Sequence, residues 1–337
     1  MALANHGASI PDLIAIGDEQ ENVTDWQRRC GINKDSQIRL VKLTHMRYQH
    51  PDLDQITTFL QDFGMTVAKR TEDEVWYRGY GEDQSFWEVP LSWNHTAGDL
   101  EIASQRPTSS DIQELSDVPG GGFLVTLTDP EEFPVNLMFG QKPAEKGAIP
   151  EKLTINYEEE KPRIRKLQGF TPGPAAVHKL GHFGLCTGKF EELVHFYTTT
   201  FNIVPTDFIY VEKDGQKNVA LFAHIDRGDD NVDHHSFFMS TNTSSHVHHC
   251  SFEVHDFDTQ KLGHQRLTDK KYKSVWGVGR HILGSQIFDY WWYTTGNMIE
   301  NYTDGDLVNN QTPIGYGPAG DESLAVWGPE VPAWFLK

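Results

Sequence analysis

The sequence predicts an α+β protein that contains two tandem copies of one β-α-β unit, each followed by antiparallel strands. The first observation is an internal repeat. A histidine segment and the helix after it recur with a constant offset of 137 positions, which relates His45 to His182 and Phe59 to Phe196. The second observation is the series of short alternating segments after each helix, which is typical of strands and hairpins. The length of 337 residues also favours two domains.

The elements of both copies follow the same order along the chain. In each copy, a short apolar segment with a histidine leads into a stretch whose apolar residues recur at helical spacing, and another apolar segment follows. The predicted helices cover residues 53–62 and 190–200, and the clearest predicted strands cover residues 74–80, 208–212 and 219–224, with a turn at residues 213–215.

The segment 141–177 is the predicted linker between the copies, because it is rich in Pro, Gly, Lys and Glu. We place the domain boundary near residue 170. The first module, with an N-terminal extension and the linker, then spans residues 1–170, and the second module spans residues 171–337.

Both ends of the chain extend beyond the repeated units. Residues 1–38 have weak patterning, and we expect them to pack on the first module. The tail, residues 305–337, is rich in Gly and Pro but carries Trp327, Trp334 and Phe335. Because these aromatic side chains are costly to leave in water, we expect the tail to pack back onto the protein.

The composition excludes several classes of partner. The net charge is -19, from 48 acidic and 29 basic residues, which opposes nonspecific binding to nucleic acid or to an anionic membrane. No stretch has the length or apolar character of a spanning helix or signal peptide. The three cysteines are unpatterned, which suits small buried residues in a reducing compartment. We therefore expect a cytoplasmic protein.

Three residues of the second copy form a candidate metal-binding set. His182 is the only polar side chain in the predicted strand 180–185, and His249 and Glu300 lie in two further predicted strands. Two neutral imidazoles and one carboxylate can occupy one face of a non-haem Fe(II) ion and leave its other side open for substrate and O₂. A buried carboxylate in an apolar strand is also costly unless it is paired or bound to a metal.

Each of these residues also has an alternative interpretation. A single strand histidine is more often a hydrogen-bonded core residue than a ligand, and Glu300 alone is compatible with a salt bridge at a strand end. With 16 histidines in the chain, His246, His248 and His255 are compatible with solvated or supporting positions. The joint occurrence of the three residues on separate strands of one module favours a metal site.

A spaced set of residues precedes Glu300, namely Gly279-Arg280-His281, Phe288-x-Tyr290 and Gly296. This set resembles the signature of the type I extradiol ring-cleaving dioxygenases, which include catechol 2,3-dioxygenases and belong to the vicinal oxygen chelate superfamily, also called the glyoxalase, bleomycin resistance and dioxygenase superfamily. The similarity covers roughly residues 40–305. One departure is Thr294-Thr295 where the signature often has Asp-Pro, which alters a turn and leaves the ligands unchanged.

The resemblance implies a fold and a cofactor. Each module is expected to consist of paired βαβββ units that form a curved, open, mixed and barrel-like sheet. In the family, two strand histidines and a glutamate bind Fe(II), or alternatively Mn(II), and these ligands match His182, His249 and Glu300.

The resemblance also implies catalytic residues. His235 matches the family's acid, for which a pKa near neutrality suits proton transfer. His281 and Tyr290 would hydrogen-bond the substrate oxygens and fix their orientation. The alternatives are a core imidazole for His281 and an ordinary strand aromatic for Tyr290.

Three further residues are predicted to bind the substrate. Trp276 and Trp292 are candidates for an apolar pocket that stacks an aromatic ring, although adjacent strand residues face opposite sides. His234 is expected either to contact the substrate or to orient its neighbour, His235.

The first module is predicted to lack a metal. Asp129-Pro130 resembles the turn of the signature, and counting onward places Asn136 where the second module has Glu300. Asn lacks the charge needed to hold Fe(II), and no histidine strand that matches the one with His249 precedes it. His45 is therefore interpreted as a core or surface residue.

The resulting functional hypothesis is an Fe(II)-dependent extradiol dioxygenase of aromatic catabolism. It would insert both atoms of O₂ into a catechol-type ring adjacent to the diol. The resemblance also implies a homo-oligomer. Two alternatives stay open. One is a lyase, isomerase or glyoxalase-like enzyme of the same superfamily, and the other is a metal-dependent binding or resistance protein for a small aromatic. The sequence does not identify the ring substituents, and Arg280 is equally compatible with a structural role.

Overall fold

The structure is a computed structural model that describes residues 9–17, 21–83, 92–94, 97–212 and 217–335. The predicted turn at residues 213–215 lies outside these ranges. The first half contains helices α1 (Ile10–Leu13), α2 (Val23–Arg29), α3 (Leu53–Phe63) and α4 (Ala97–Ser104), and strands β1 (Leu43–His45), β2 (Thr66–Arg70), β3 (Val75–Arg78), β4 (Ser92–Asn94), β5 (Gln113–Glu114), β6 (Phe123–Thr128) and β7 (Pro134–Phe139).

The second half has more and longer strands. It contains helices α5 (Phe190–Thr200) and α6 (Phe257–Asp269), and strands β8 (Val177–Thr187), β9 (Ile203–Val211), β10 (Lys217–Ile225), β11 (Val232–Asp233), β12 (Phe237–Thr241), β13 (His246–Val254), β14 (Ser274–His281), β15 (Ile287–Trp292), β16 (Met298–Thr303), β17 (Leu307–Val308), β18 (Gly315–Pro318) and β19 (Ala325–Trp327). In the described part of the chain, no helix is long and apolar enough to cross a membrane.

The second half repeats one βαβββ unit. β8 is followed by α5, β9, β10 and β12, and β13 is followed by α6, β14, β15 and β16. β8 and β13 are antiparallel neighbours, β12 runs parallel to β8, and β16 runs parallel to β13. The ten strands form one mixed sheet in the order β18-β9-β10-β12-β8-β13-β16-β15-β14-β19, which is open at both edges. The predicted α+β class with paired βαβββ units in an open mixed sheet is therefore confirmed.

The first half has a smaller version of the same arrangement. Its five-stranded sheet has the order β1-β4-β7-β6-β5, in which β1 is antiparallel to β4 and β4 is parallel to β7. The helices α3 and α5, Leu53–Phe63 and Phe190–Thr200, are both 11 residues long, and their ends differ by the same 137 positions as the sequence repeat.

Helix α3 shows how local sequence sets these boundaries. Asp52 caps its first turn, because the side chain accepts hydrogen bonds from the backbone N–H groups of Asp54 and Gln55. Gly64 ends the helix with φ of 125°, and a Cβ atom there would lie 1.8 Å from the backbone oxygen of Ala175. Glycine is therefore needed at this position for both conformation and space.

The two modules share one core rather than having a core each. Phe59 of α3 packs edge-on against Tyr272, with ring centroids 5.0 Å apart, and Asp62 accepts hydrogen bonds from Arg266 and Tyr272. Phe63 packs against Phe252 of β13. Most of the described buried apolar side chains, from both halves, form one continuous cluster that fixes the first module against the helix side of the large sheet, and a smaller cluster around Trp276 and Phe335 is separate from it.

The N-terminal extension packs mainly on the second module, whereas we expected the first. The Gln37 side-chain amide donates to the backbone oxygens of Thr198 and Phe201, and Ile38 forms a parallel bridge with Phe201. Helix α1 contacts α5, and Trp26 of α2 is completely buried. The weak patterning of this segment did not indicate which surface it covers, because its partners lie about 160 residues away in sequence.

The C-terminal tail joins the two edges of the large sheet. β18 pairs with β9 at one edge, and β19 pairs with β14 at the other. Phe335 is 4% exposed, but Trp327 and Trp334 are 42% and 52% exposed. The tail therefore packs on the protein as expected, although only one of the three aromatic side chains is buried. Cys30, Cys186 and Cys250 are buried and unpaired, as predicted.

Candidate metal centre

Three neighbouring strands bring the predicted ligands to one face of the large sheet. His182 of β8 pairs with Ser251 of β13, and Ser251 pairs with Glu300 of β16. His249 lies two residues before Ser251, and alternate residues of a strand face the same side. The three side chains therefore project together at the centre of the sheet.

The candidate ligand atoms converge in a buried space. His182 Nε2 lies 3.1 Å from Glu300 Oε2 and 3.2 Å from His249 Nε2, and His249 Nε2 lies 3.7 Å from Glu300 Oε2. Glu300 is completely buried, and both histidines are less than 5% exposed. Apart from the surrounding histidines and Tyr290, no described residue donates a hydrogen bond to either oxygen of Glu300.

This arrangement fits a divalent metal ion. The three donor atoms all lie within 4.8 Å of one another, and two imidazoles with one carboxylate are a donor set for Fe(II) or Mn(II). Burial, together with the neighbouring histidines, holds the pKa of His249 well below its ordinary value, so that the neutral ring keeps a lone pair for a metal. A buried carboxylate without a cation would be costly.

Gly184 provides the space for the His249 ring. It lies opposite His249 in the β8–β13 pair, and a Cβ atom there would lie 3.0 Å from His249 Nδ1 and 2.8 Å from Phe238 Cδ1. Because both neighbours are buried rings, an alanine would displace one of them. The glycine two residues after His182 thus helps to position the second histidine.

The side of the cluster opposite Glu300 offers no fourth candidate ligand among the described residues. Glu300 pairs with Ser251, which lies two positions after His249. In the other βαβββ unit, the equivalent of Glu300 is the residue that pairs with Gly184, two positions after His182. That position is Phe238, whose ring centroid lies 6.1 Å from that of His249. Since a phenyl ring does not bind a metal, the described residues offer three candidate ligands and leave one side open.

His235 lies beside this open side and is held by two polar neighbours. Its ring centroid is 4.1 Å from that of His182. His235 Nδ1 lies 3.0 Å from His234 Nδ1, and His234 Nε2 lies 2.8 Å from Asp207 Oδ2. With a neutral His234 that donates through Nε2 to the carboxylate, His234 Nδ1 accepts from His235 Nδ1–H. This arrangement leaves His235 Nε2 as the unprotonated nitrogen.

The acidity of His235 differs from the prediction. Burial, followed by the influence of His182, holds the pKa of His235 well below its ordinary value. The expectation of a pKa near neutrality is therefore wrong for this environment, because the sequence does not show how completely the ring is removed from water. At neutral pH the ring is neutral.

His281 and Tyr290 form a hydrogen-bonded pair at the same site. His281 Nδ1–H donates to the backbone oxygen of Leu324 at 2.8 Å, so Nε2 accepts from the Tyr290 hydroxyl at 3.1 Å. His281 Nε2 also lies 3.9 Å from Glu300 Oε1. Burial raises the pKa of Tyr290 well above its ordinary value, which keeps the hydroxyl protonated and able to donate.

A cavity of about 170 Å³ opens beside the candidate ligands. Its volume is comparable to that of an engineered apolar cavity, about 150 Å³, that binds benzene. His182, His249, His235, His281 and Tyr290 all contribute to its wall. The rest of the wall is mainly apolar and includes Ile209, Val219, Phe222, Phe238, Leu283 and Phe335, and no Lys or Arg among the described residues lines it.

The structure does not place the three predicted substrate-binding residues in this wall. Trp276 packs against Phe288 and Phe335, and its Nε1–H donates to the backbone oxygen of Pro329, so it lies behind the wall. Trp292 lies outside the cavity, beside Lys273. His234 lies behind His235. These positions correct the prediction of direct substrate contact, because side-chain type alone does not show which rings reach the cavity surface.

Sequence reasoning missed much of the apolar wall. Ile209, Val219 and Phe222 come from β9 and β10, and Phe335 comes from the tail. The sequence offers one weak signal for Phe238. It lies two residues after Ser236, which directly follows the pair His234-His235. Arg280 is turned away from the cavity and pairs with Asp304 at 2.7 Å, in agreement with its structural interpretation.

The first module repeats the strand register of this centre but lacks its carboxylate and its second histidine. His45 pairs with Ser92 of β4, and Ser92 pairs with Asn136 of β7, which reproduces the register of His182, Ser251 and Glu300. Asn136 is completely buried and accepts a hydrogen bond from Thr126. Position 90, two residues before Ser92, is a proline in the sequence and lies outside the described ranges.

Comparisons with known proteins identify similar sequences and folds. The profile of the Glyoxalase/Bleomycin resistance protein/Dioxygenase superfamily matches residues 179–300. Metapyrocatechase 2 from Cupriavidus necator is 27% identical over 310 residues, which cover 88% of this chain and 91% of the relative.

Two solved structures illustrate the similarity of fold. Homoprotocatechuate 2,3-dioxygenase from Brevibacterium fuscum has a TM-score of 0.70 at 17% identity, with 90% of this chain and 94% of that chain covered. The Mn(II)-bound glyoxalase from Novosphingobium aromaticivorans has a TM-score of 0.69 at 15% identity, with 89% and 98% covered. The resemblance seen in the motifs is confirmed, because residues 179–300 match the model of this superfamily and the chain is similar to a metapyrocatechase along most of its length.

Proposed function

We propose that the protein is an extradiol dioxygenase that uses Fe(II), or alternatively Mn(II), to insert both atoms of O₂ into a catechol-type ring adjacent to the diol. The observation that carries this proposal is the three-ligand set of His182, His249 and Glu300, whose open side faces an apolar cavity. The similarity to Metapyrocatechase 2 supports the ring-cleaving class. The homo-oligomer and the cytoplasmic location stay predictions.

The three candidate ligands match the needs of this chemistry. When bound, Fe(II) would supply the redox chemistry that allows O₂ to react with the diol. His182, His249 and Glu300 would hold the ion with one negative charge from the protein. Because Phe238 occupies the fourth ligand position, the protein leaves room for a substrate with two oxygen atoms.

The surrounding polar residues would control the protons of the substrate. In the neutral state His235 Nε2 is a proton acceptor, so we propose that it takes a proton from a hydroxyl of the entering diol and later returns it. The low pKa of the buried ring favours that return. The Tyr290 hydroxyl, paired with His281, would hydrogen-bond a substrate oxygen and fix the orientation of the ring.

The wall of the cavity indicates the substrate's charge. A carboxylate on the ring would enter an apolar wall with no described Lys or Arg to pair with it, which is costly. We therefore propose an uncharged, single-ring catechol with a hydrogen or a short apolar substituent as the preferred substrate.

An oxygen electrode tests both parts of this proposal. Iron-loaded protein should consume one O₂ per molecule of catechol or methylcatechol, and kcat/KM for 3,4-dihydroxybenzoate should be at least about 10-fold lower, given the cost of an unpaired buried charge. Equal kcat/KM for the carboxylated substrate would contradict only the charge preference. Turnover without O₂ uptake would instead indicate a lyase or isomerase, and binding without turnover would indicate a sequestering protein.

A further inference from the structure

The C-terminal tail contributes two backbone carbonyl groups to the candidate centre. The oxygen of Leu324 accepts from His281 Nδ1–H, and the oxygen of Phe335 lies 2.5 Å from His248 Nε2. A carbonyl oxygen can only accept a hydrogen bond, so each contact fixes which nitrogen of its histidine carries the proton. For His248, the proton is on Nε2.

His248 passes this constraint to the candidate ligand His249. The two side chains meet through their Nδ1 atoms at 2.7 Å. His248 is 2% exposed and has no carboxylate partner among the described residues, which favours its neutral form. Its Nδ1 therefore accepts, and His249 Nδ1 donates. The remaining nitrogen of His249, Nε2, then carries the lone pair that faces His182 and Glu300.

An irregularity in β13 makes this contact possible. Adjacent residues of a regular strand face opposite sides, but the β13–β8 register shifts between Val247 and His249, and both His248 and His249 line the cavity. His182 has no such support, because its Nδ1 has no hydrogen-bond partner among the described residues. The tail thus acts on one of the two candidate histidine ligands.

We propose that His248 is a positioning residue, through which the backbone oxygen of Phe335 holds His249 in the tautomer that binds the metal. The C-terminal tail is then a part of the metal centre as well as a wall of the cavity. The proposal rests on the metal site proposed above, so its test measures metal affinity rather than turnover.

The test compares two substitutions of His248 by titrating metal-free protein with Mn(II) and measuring free Mn(II) by electron paramagnetic resonance. His248→Phe keeps a ring but removes both hydrogen bonds, and it should weaken Mn(II) binding about 10–100-fold, the usual cost of losing a group that orients a metal ligand. His248→Gln retains an acceptor for His249 and a donor for Phe335, and it should stay within about 5-fold of the wild type.

Equal affinity of the wild type and His248→Phe would overturn the proposal, and so would an equally large loss in His248→Gln. If His248→Phe does not fold, as judged by circular dichroism, the glutamine variant still decides the question. Absence of Mn(II) binding by the wild type would contradict the metal site itself, which separates failure of the proposed function from failure of this inference.

Two variants of the C-terminal tail form a matched pair for the same measurement of Mn(II) affinity. Phe335→Ala removes the ring but keeps the backbone oxygen, whereas truncation before Phe335 removes both. Only the truncation should reduce Mn(II) affinity to the level of His248→Phe. A similar loss in both variants would show that the ring of Phe335, rather than its carbonyl group, supports the site.

Discussion

The two modules place the same three backbone positions together and carry a different side chain at one of them. In the second module these positions carry His182, Ser251 and Glu300, and in the first they carry His45, Ser92 and Asn136. Among the described residues, the acceptor atoms of Glu300 have only the site histidines and Tyr290 near them, whereas Asn136 accepts a hydrogen bond from the hydroxyl of Thr126. The two modules therefore differ in the charge at one strand position and in the second candidate histidine, His249, which corresponds to Pro90 of the first module.

Removal of this charge from the second module should have the largest effect. Glu300→Ala is expected to reduce ring cleavage and metal affinity by more than about 100-fold, because a direct ligand contributes more than the groups that orient it. Metal analysis and O₂ uptake measure the two effects. The control is Asn136→Ala, which removes the equivalent side chain of the first module and should leave both quantities within about 3-fold of the wild type. Equal losses in the two variants would contradict the assignment of the centre to the second module.

Removal of His235 should separate metal binding from catalysis. His235→Ala is expected to retain one metal ion per chain and to lose about 10²–10⁴-fold in kcat, the usual contribution of a general acid or base. Metal analysis and steady-state kinetics on the same sample test this prediction. Unchanged turnover would remove His235 from the mechanism, and loss of the metal would make it part of the ligand set.

A negative charge introduced at Asn136 of the first module should have the smallest effect of these substitutions. The expected effect is a loss of folding stability. In Asn136→Glu, a carboxylate replaces a completely buried amide, and burial lowers the pKa of His45 to about 4, so that His45 offers no positive charge at neutral pH. Urea unfolding at pH 7 should show a loss of about 3 kcal/mol, and the metal content should stay at one ion per chain.

The pH dependence of this variant provides a further check. Burial without a cation raises the pKa of the new carboxyl above its unfolded value of about 4.3, so the folded state binds the proton more tightly. The loss of stability should therefore shrink as the pH falls towards 4 and grow as the pH rises from there. A loss that is independent of pH would indicate a packing defect instead, and binding of a second metal ion would show that charge alone creates a site in this module.

Some features of the candidate site were predictable because they depend on residue type and spacing. Counting onward from the turn at Asp129-Pro130 places Asn136 where the second module has Glu300, and the register of the strands reproduces that match. The resemblance pointed to His281 and Tyr290, and their side chains are in hydrogen-bond contact. These features follow from alternation along strands, which is a local property of the chain.

Other features were not predictable because they depend on contacts between distant segments. The extension packs on α5 and not on the first module, and Trp276 lies behind the cavity because Phe335 of the tail covers it. The shared position of His248 and His249 requires a strand irregularity that breaks the alternation. The pKa of His235 depends on complete burial, which involves residues from several strands.

The sequence by itself determined the repeated β-α-β units and the residue types of the candidate centre, because helix periodicity, strand alternation and spacing are encoded locally. Only the tertiary structure decided how these residues are arranged and supported. The sheet brings His182, His249 and Glu300 within reach of one ion, and the tail supplies two carbonyl oxygens to the neighbouring histidines. Proton positions and charge in a buried site depend on which atoms meet there, and that depends on the packing of segments far apart in the chain.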